Sequence, residues 1–291
     1  MTLRQILLRT LNALGVEVTF TNPGRKRSRR TDRLGFYETP TGNYYLPTDA
    51  RGDVIAKDIK AGKVYDAPIF EIAKKYIKPN TIALDVGSNF GQMAVLMAGS
   101  VGPEGLVYAF EADDFVYRIL EKNAKANAEN IKTIFGAVHH TGGETLYFPI
   151  QDFKRFNTYG SYGIDYVHGR GRPVPTVAID DIDFPLPISF MKVDVQGGDL
   201  FVLKGATKTI AKHRMPVIFE YEYLFEDELS LSFQDYVDFV LGSGYYFAKV
   251  INGHNFLALP RESCPPTPAA ELECAGAKES QDVGTCEKMP N

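Results

Sequence analysis

One stretch constrains this 291-residue chain more than any other: Thr81-Ile82-Ala83-Leu84-Asp85-Val86-Gly87-Ser88-Asn89-Phe90-Gly91-Gln92. Residues 81–86 are apolar apart from the ends and include the β-branched Ile82 and Val86, as a strand covered on both faces requires. Gly87 and Gly91 then allow a tight turn and close backbone approach to a ligand, because neither carries a Cβ. From Met93 to Ala98 the apolar run continues as a helix, whose first N–H groups face whatever occupies the turn. A strand, a glycine turn and a helix in succession predict an α/β sheet with a ligand crevice at the strand ends.

The glycine spacing is G-x-x-x-G, and it lacks the first close pair of the dinucleotide fingerprint G-x-G-x-x-G. It resembles motif I of S-adenosylmethionine-dependent methyltransferases, where the turn passes the amino-acid end of the cofactor. The next predicted strand, Leu106 to Glu111, ends in an acid 24 positions after Gly87. A carboxylate at that tip suits two ribose hydroxyls, a requirement that NAD and S-adenosylmethionine share. A solvated acid at a strand end is the simpler alternative for Glu111.

The rest of the chain continues the alternation. Helix 113–128, capped by Asp113 or Asp114, leads to strand 131–138 and, across Thr141-Gly142-Gly143, to strand 144–149. Val174 to Ile179 reads as a short edge strand because it contains Pro175. Strand 188–195 leads to helix 199–212, and strand 216–222 to helix 232–241. Strands 245–251 and 254–259 flank Asn252-Gly253, a strong hairpin signal. The expected architecture is an α/β mixed seven-stranded sheet of Rossmann-like type, closed by a terminal antiparallel hairpin.

Before this core, residues 2–14 have the spacing of an amphipathic helix, through Leu3, Ile6, Leu7, Leu11 and Leu14. A basic run follows, from Arg25 to Arg33, and residues 1–33 are expected to dock on the protein or to meet a membrane surface or an acidic partner. Residues 34–47 predict a β-hairpin, and 52–60 and 67–77 two helices, the second with Asp66 as N-cap. The expected organisation is an appendage over 1–64, a catalytic domain over 65–260 and a disordered tail over 261–291.

Composition narrows the functional classes. The chain is 44% hydrophobic and 23% charged with a net charge of -4, which argues against a nucleic-acid binder. No apolar run approaches the roughly 18 residues of a membrane span. The three cysteines, Cys264, Cys274 and Cys286, have no metal-ligand spacing, and a cytoplasmic location is expected.

A second constellation carries the chemistry. In Phe190-Met191-Lys192-Val193-Asp194-Val195-Gln196-Gly197-Gly198-Asp199, period two puts Lys192, Asp194 and Gln196 on one side of a strand. Glu220 ends the neighbouring strand in the same way. Asp194 and Glu220 therefore face one crevice, where they can deprotonate a hydroxyl, orient an ammonium or hold a divalent cation. A plain Lys192–Asp194 or Lys192–Glu220 ion pair is the structural alternative. His139 and His140 follow strand 131–138 and are candidates for the same proton.

Taken together, these residues resemble the FkbM family of S-adenosylmethionine-dependent methyltransferases. The resemblance runs through Leu84 to Gly91, Ala109-Phe110-Glu111, Gly136-Ala137-Val138, Met191 to Asp199 and Val202 to Ala206. It implies a class I methyltransferase fold and transfer of a methyl group to an oxygen, commonly a sugar hydroxyl. It also implies that Gly87, Asn89 and Gly91 line the methionine part of the cofactor, Glu111 the ribose, Ala137 and Val138 the adenine, and Asp194 the sulfonium end. Asp85, Ser88, Phe90 and Ala112 complete the cofactor-binding candidates. Asp194, His139, His140, Glu220 and Lys192 are the catalytic ones. The family usually carries Asp-Val-Glu-Gly and a Glu two residues later, where this chain has Gln196 and Asp199, so a divalent cation here is doubtful. The tyrosines and glycines of 151–173 suit a loop that closes over a sugar. An NAD-dependent sugar oxidoreductase and a non-catalytic binding module with the same fold are the competing classes.

Overall fold

The computed structural model describes residues 33–48, 52–151 and 158–263. The chain divides between Thr31 and Asp32, and every described residue belongs to the unit Asp32–Asn291. The expected helix over 2–14, the basic run up to Arg30 and the tail beyond Ser263 lie outside the described residues.

The N-terminal hairpin forms as expected, from β1 (Leu34–Thr39) and β2 (Gly42–Pro47). Helix α1 (Val54–Lys60) is capped by the Asp53 carboxylate, which accepts from the Ala56 N–H at 2.8 Å. Helix α2 (Ala67–Tyr76) follows. Asp66 stands at its N-cap but does not cap it with its side chain, because its backbone is left-handed at φ 54°. Its carbonyl takes the Ile69 and Phe70 N–H groups instead.

The core strands are β3 (Ile82–Val86), β4 (Leu106–Glu111), β5 (Ile131–Phe135), β9 (Ile188–Val193) and β10 (Val217–Glu220), all parallel. The hairpin of β11 (Tyr245–Ile251) and β12 (Asn255–Pro260) adds antiparallel to β10. The order is β11-β12-β10-β9-β3-β4-β5, seven strands in all. From β3 the chain winds outward through β4 and β5, then returns to β9 on the other side. The order therefore reverses between β3 and β9, which is where open α/β sheets hold ligands.

Alternation along the strands splits the core into two layers. Leu84, Val86, Phe110, Met191 and Val193 pack on one face, and Ala83, Val107, Ala109, Phe190 and Ile218 on the other. Helices α3 (Gln92–Val101) and α4 (Asp114–Asn127) cover the second face near β3 and β4. The cap of α4 is Asp113, which accepts from the Phe115 and Val116 N–H groups. Hairpin β1–β2 is tied to α4 by Asn123 and Asn127, which accept from the Tyr45 and Asn43 N–H groups at 2.6 and 2.7 Å.

Four expectations are corrected. The predicted strand 131–138 breaks at Gly136, whose absent Cβ would lie 2.7 Å from Val177 Cγ2. Only β5 stays in the main sheet; β6 (Ala137–Val138) joins β7 (Thr145–Phe148) and β8 (Arg172–Val177) in a separate three-stranded sheet. There the predicted edge strand lies in the middle, as β8. Thr176 donates towards β7, so the alternating prolines Pro173 and Pro175 have their missing donors on the other side, before β6 begins.

The predicted helix 199–212 is two helices, α5 (Asp199–Lys204) and α6 (Thr207–His213). Asp180 imposes the break: its carboxylate takes the Lys208 and Thr209 N–H groups at 2.9 and 2.8 Å, and its own N–H donates to the Gly205 carbonyl. A short helix absent from the expectations, α7 (Tyr223–Glu228), precedes α8 (Phe233–Gly242), whose capping box is Ser232 and Asp235.

Candidate active site

A crevice of about 340 Å³ opens at the C-terminal ends of β3, β4, β9 and β10. A smaller recess adjoins it beneath the β3–α3 turn.

Gly87 makes the two inner strand ends fit. Its φ is 80°, and a Cβ there would overlap the Asp194 carbonyl oxygen. The glycine thus serves a close approach of the two strand ends as well as exposing backbone to the crevice. Gly91 has a different reason: a Cβ would lie 2.6 Å from Leu120 Cδ1, so it admits α4.

At one end of the crevice stands Glu111. Its Oε2 accepts from the Asn89 N–H at 2.9 Å and its Oε1 from the Asp113 N–H at 2.8 Å. These bonds favour the anion, but burial outweighs them and pushes the carboxyl up to about 7. Phe110, Ala112, Gly136, Ala137 and Val138 form an apolar wall beside it.

At the other end the polar groups are chained. Lys192 Nζ lies 3.0 Å from Asp194 Oδ2, Gln196 Nε2 lies 3.0 Å from Asp194 Oδ1 and 2.8 Å from Glu220 Oε2, and His254 Nε2 lies 3.4 Å from Glu220 Oε1. Burial raises Asp194, but the Lys192 ammonium and the two donors win and hold it below the usual carboxylate range. Burial and the Asp194 charge push Glu220 up to about 10. At neutral pH, Asp194 is therefore the anion and Glu220 the neutral acid of the pair. Burial opposes charge on Lys192, yet Asp194 and Asp85 hold its ammonium above the ordinary range.

Thr158 to Tyr166 form the opposite wall. Asp53 fastens that segment: its Oδ2 accepts from the Tyr159 N–H at 2.7 Å and the Thr158 hydroxyl at 2.9 Å. Tyr159 turns its ring onto Phe90 and Phe115. Gly163 sits so close to the Gln196 carbonyl that a Cβ there would overlap it.

Of the residues expected from sequence, Gly87, Asn89, Glu111, Ala112, Ala137, Val138, Asp194 and Glu220 line the main crevice. Asp85, Ser88, Phe90 and Lys192 line the recess. Ser88 donates its hydroxyl to the Asp85 carbonyl at 2.7 Å, and Phe90 is fully buried with Tyr44 and Phe115. Gly91, His139 and His140 line neither. His139 is enclosed by the rings of His140, Phe201 and Tyr166, and burial pulls it down to about 4. The expected ion pair of Lys192 is made with Asp194, and the 3.9 Å approach to Asp85 is longer.

Three residues at the acidic end were not among the candidates: His254, Glu222 and Asp66, the last of which had been assigned only to a cap. His254 had a legible signal. It follows the Asn252-Gly253 turn, and a hairpin running antiparallel to β10 must begin at the C-terminal edge of that strand.

A family model described as the methyltransferase FkbM domain matches residues 85–247, more than half of the chain. The chain belongs to the FkbM methyltransferase family. The seven-stranded sheet with its terminal hairpin is accordingly the class I methyltransferase fold expected from the sequence. Similar solved structures include an FkbM methyltransferase from Methylobacillus flagellatus KT, with 16% identity, TM-score 0.40, and 65% of this chain and 49% of that chain covered. The chain thus spans about half the length of that protein. Others are a S-adenosylmethionine-dependent O-methyltransferase from Thermotoga maritima, with 12% identity, TM-score 0.40, and 77% and 75% covered, and fibrillarin from Aeropyrum pernix with S-adenosylmethionine bound, with 14% identity, TM-score 0.37, and 81% and 85% covered. No curated protein matches the chain.

The crevice of this FkbM methyltransferase fits S-adenosylmethionine. Both carboxylate oxygens of Asp85 are buried without a hydrogen-bond partner among the described residues, although the carboxylate borders the recess. An ammonium or a bound water is the kind of group that would satisfy them. Glu111 suits the ribose, and the wall of Phe110, Ala137 and Val138 the adenine. Bound there, the cofactor supplies an activated methyl group.

Among the described residues no cluster of three or more His, Cys, Asp or Glu side chains has the arrangement of a metal site. No described helix is long and apolar enough to cross a membrane.

Proposed function

We propose that this chain is an O-methyltransferase that transfers the methyl group of S-adenosylmethionine to a hydroxyl of an uncharged sugar, in a glycan, a glycolipid or a glycosylated natural product. The observation that carries the reading is the polarity of the crevice. A ribose-type acid, Glu111, stands at one end, the Asp194–Gln196–Glu220 cluster at the other, and Tyr162 and Tyr166 lie along the wall between. Five acids and no lysine or arginine line it among the described residues, which disfavours a phosphorylated or carboxylated acceptor. Tyrosine rings and hydroxyls suit the faces and edges of a neutral sugar.

Asp194 is proposed to steady positive charge near the sulfonium, since Lys192 and Gln196 keep it ionised. Gln196 occupies, as a neutral donor, the place where a third acid would favour a cation, so the proposed reaction needs no divalent cation. A cytoplasmic location, and contact of the basic residues up to Arg33 with an acidic partner or membrane surface, are parts of the same proposal.

Isothermal titration with S-adenosylmethionine and with NAD, for the wild type and for Glu111→Ala, tests the cofactor. Binding of S-adenosylmethionine alone, weakened at least tenfold in the variant, is expected. Mass spectrometry of a glycan panel then tests the acceptor by a gain of one methylene mass. Binding of NAD instead would restore the oxidoreductase reading; cofactor binding with no turnover on any acceptor would restore the binding module.

A further inference from the structure

We propose that His254 takes the proton from the acceptor hydroxyl, and that Glu220 holds its imidazole in the reactive orientation. The inference rests on the proposed function and adds a residue to it.

His254 is fixed where such a group is needed. Its carbonyl accepts from the Tyr221 N–H at 2.8 Å, which pins the start of the hairpin strand to the end of β10. Its ring borders the crevice and remains 46% exposed, so a ligand can reach it. Nε2 lies 3.4 Å from Glu220 Oε1, whereas Nδ1 has no hydrogen-bond partner among the described residues. The Glu220 proton is engaged by the Asp194 carboxylate, to which its side chain is hydrogen-bonded, so Oε1 accepts. A ring nitrogen that faces an accepting oxygen carries the proton and leaves the other nitrogen as the acceptor. Nδ1 is then the basic atom.

The neighbouring acids are poorly suited to the task. Asp194 accepts from Lys192 and Gln196, so its lone pairs are engaged and its basicity is low. Glu220 is the neutral member of its pair with Asp194, and a neutral acid orients the ring through Oε1 without adding charge to it. Asp66 and Glu222 are the other acids facing this corner, and burial raises both. His139 is closed within its aromatic cluster, and His140 lies outside the crevice lining.

In the step, the acceptor oxygen forms a bond to the methyl carbon as the carbon–sulfur bond breaks. The electron pair of that bond goes to sulfur, which leaves as a neutral thioether. The hydroxyl proton passes to His254 Nδ1, and the imidazolium later releases it to water.

The test has three arms. Titration with S-adenosylmethionine is run on the wild type and on His254→Gln; equal affinity is expected, and failure of the wild type to bind would sink the proposed function rather than this assignment. Nitrogen-15 NMR of the labelled imidazole needs no acceptor. It is expected to show the Nε2–H tautomer in the wild type and loss of that preference in Glu220→Leu; the Nδ1–H tautomer in the wild type would overturn the proposal. With a panel of methyl glycosides as acceptors, His254→Gln is expected to lower kcat at least 100-fold and to abolish the acidic limb of the wild-type pH profile. A kcat within threefold of the wild type, with that limb intact, would also overturn it.

Discussion

Lys192 stands directly opposite Asp85 in the register of β9 and β3, two buried charges on adjacent parallel strands. The ammonium does not settle on that partner: it lies 3.9 Å from Asp85 and 3.0 Å from Asp194. One buried cation therefore serves the buried Asp85 and the partly exposed Asp194, and Asp85 is left with bonding capacity turned to the recess.

Removing that cation leaves both acids uncompensated. Lys192→Met is expected to destabilise the protein by about 3–5 kcal/mol, the usual cost of deleting one partner of a buried pair. Urea denaturation at neutral pH measures it. A loss below about 1 kcal/mol would show that the two acids are protonated without the lysine.

Glu111 makes stability depend on pH. Its folded value, about 7, lies above that of an unfolded glutamate, so the folded state binds the extra proton between roughly pH 4.5 and 7. The contribution is most favourable below the unfolded value and is lost as pH rises through 7. A shift of this size corresponds to about 3 kcal/mol. Unfolding free energies from pH 4.5 to 8 are expected to fall less steeply in Glu111→Gln than in the wild type, and equal slopes would refute the assignment.

Gln196 separates two acids with an amide that donates to both. Gln196→Glu replaces that donor by a third carboxyl and is expected to cost about 1–3 kcal/mol of stability. Thermal unfolding with and without Mn²⁺ checks the reason. The variant is expected to recover stability when the cation is added, and the wild type to be unaffected.

Asp53 joins α1 to the crevice wall. Asp53→Ala removes the helix cap and leaves the Tyr159 N–H without its carboxylate acceptor, at an expected cost of about 2–3 kcal/mol. Hydrogen exchange at Tyr159 is expected to accelerate with it. Unchanged protection there would mean that ring packing on Phe90 and Phe115 alone holds the segment.

How much of this was legible in the chain depended on the range of the forces involved. Ile82 to Val86, Leu106 to Glu111 and the Asn252-Gly253 hairpin form where expected, because periodicity and turn chemistry act over a few residues. The pairing of Lys192 with Asp194 was also within reach, since residues two apart on a strand share a face.

The sequence by itself determined the α/β class, the main strands, the strand–glycine–helix turn and the acids at the strand ends. Only the tertiary structure decided what those groups do for one another. Asp180 splits a helical run at Gly205 by capping Lys208 and Thr209 from 28 and 29 residues away. Gly87 answers to the Asp194 backbone, 107 positions on, and Glu220 meets His254 through a hairpin that folds back beside it. His139, next to a strand end, is drawn into an aromatic cluster by residues 166 and 201. Burial, partner choice and protonation state depend on which distant segments pack together, and local periodicity carries no record of that.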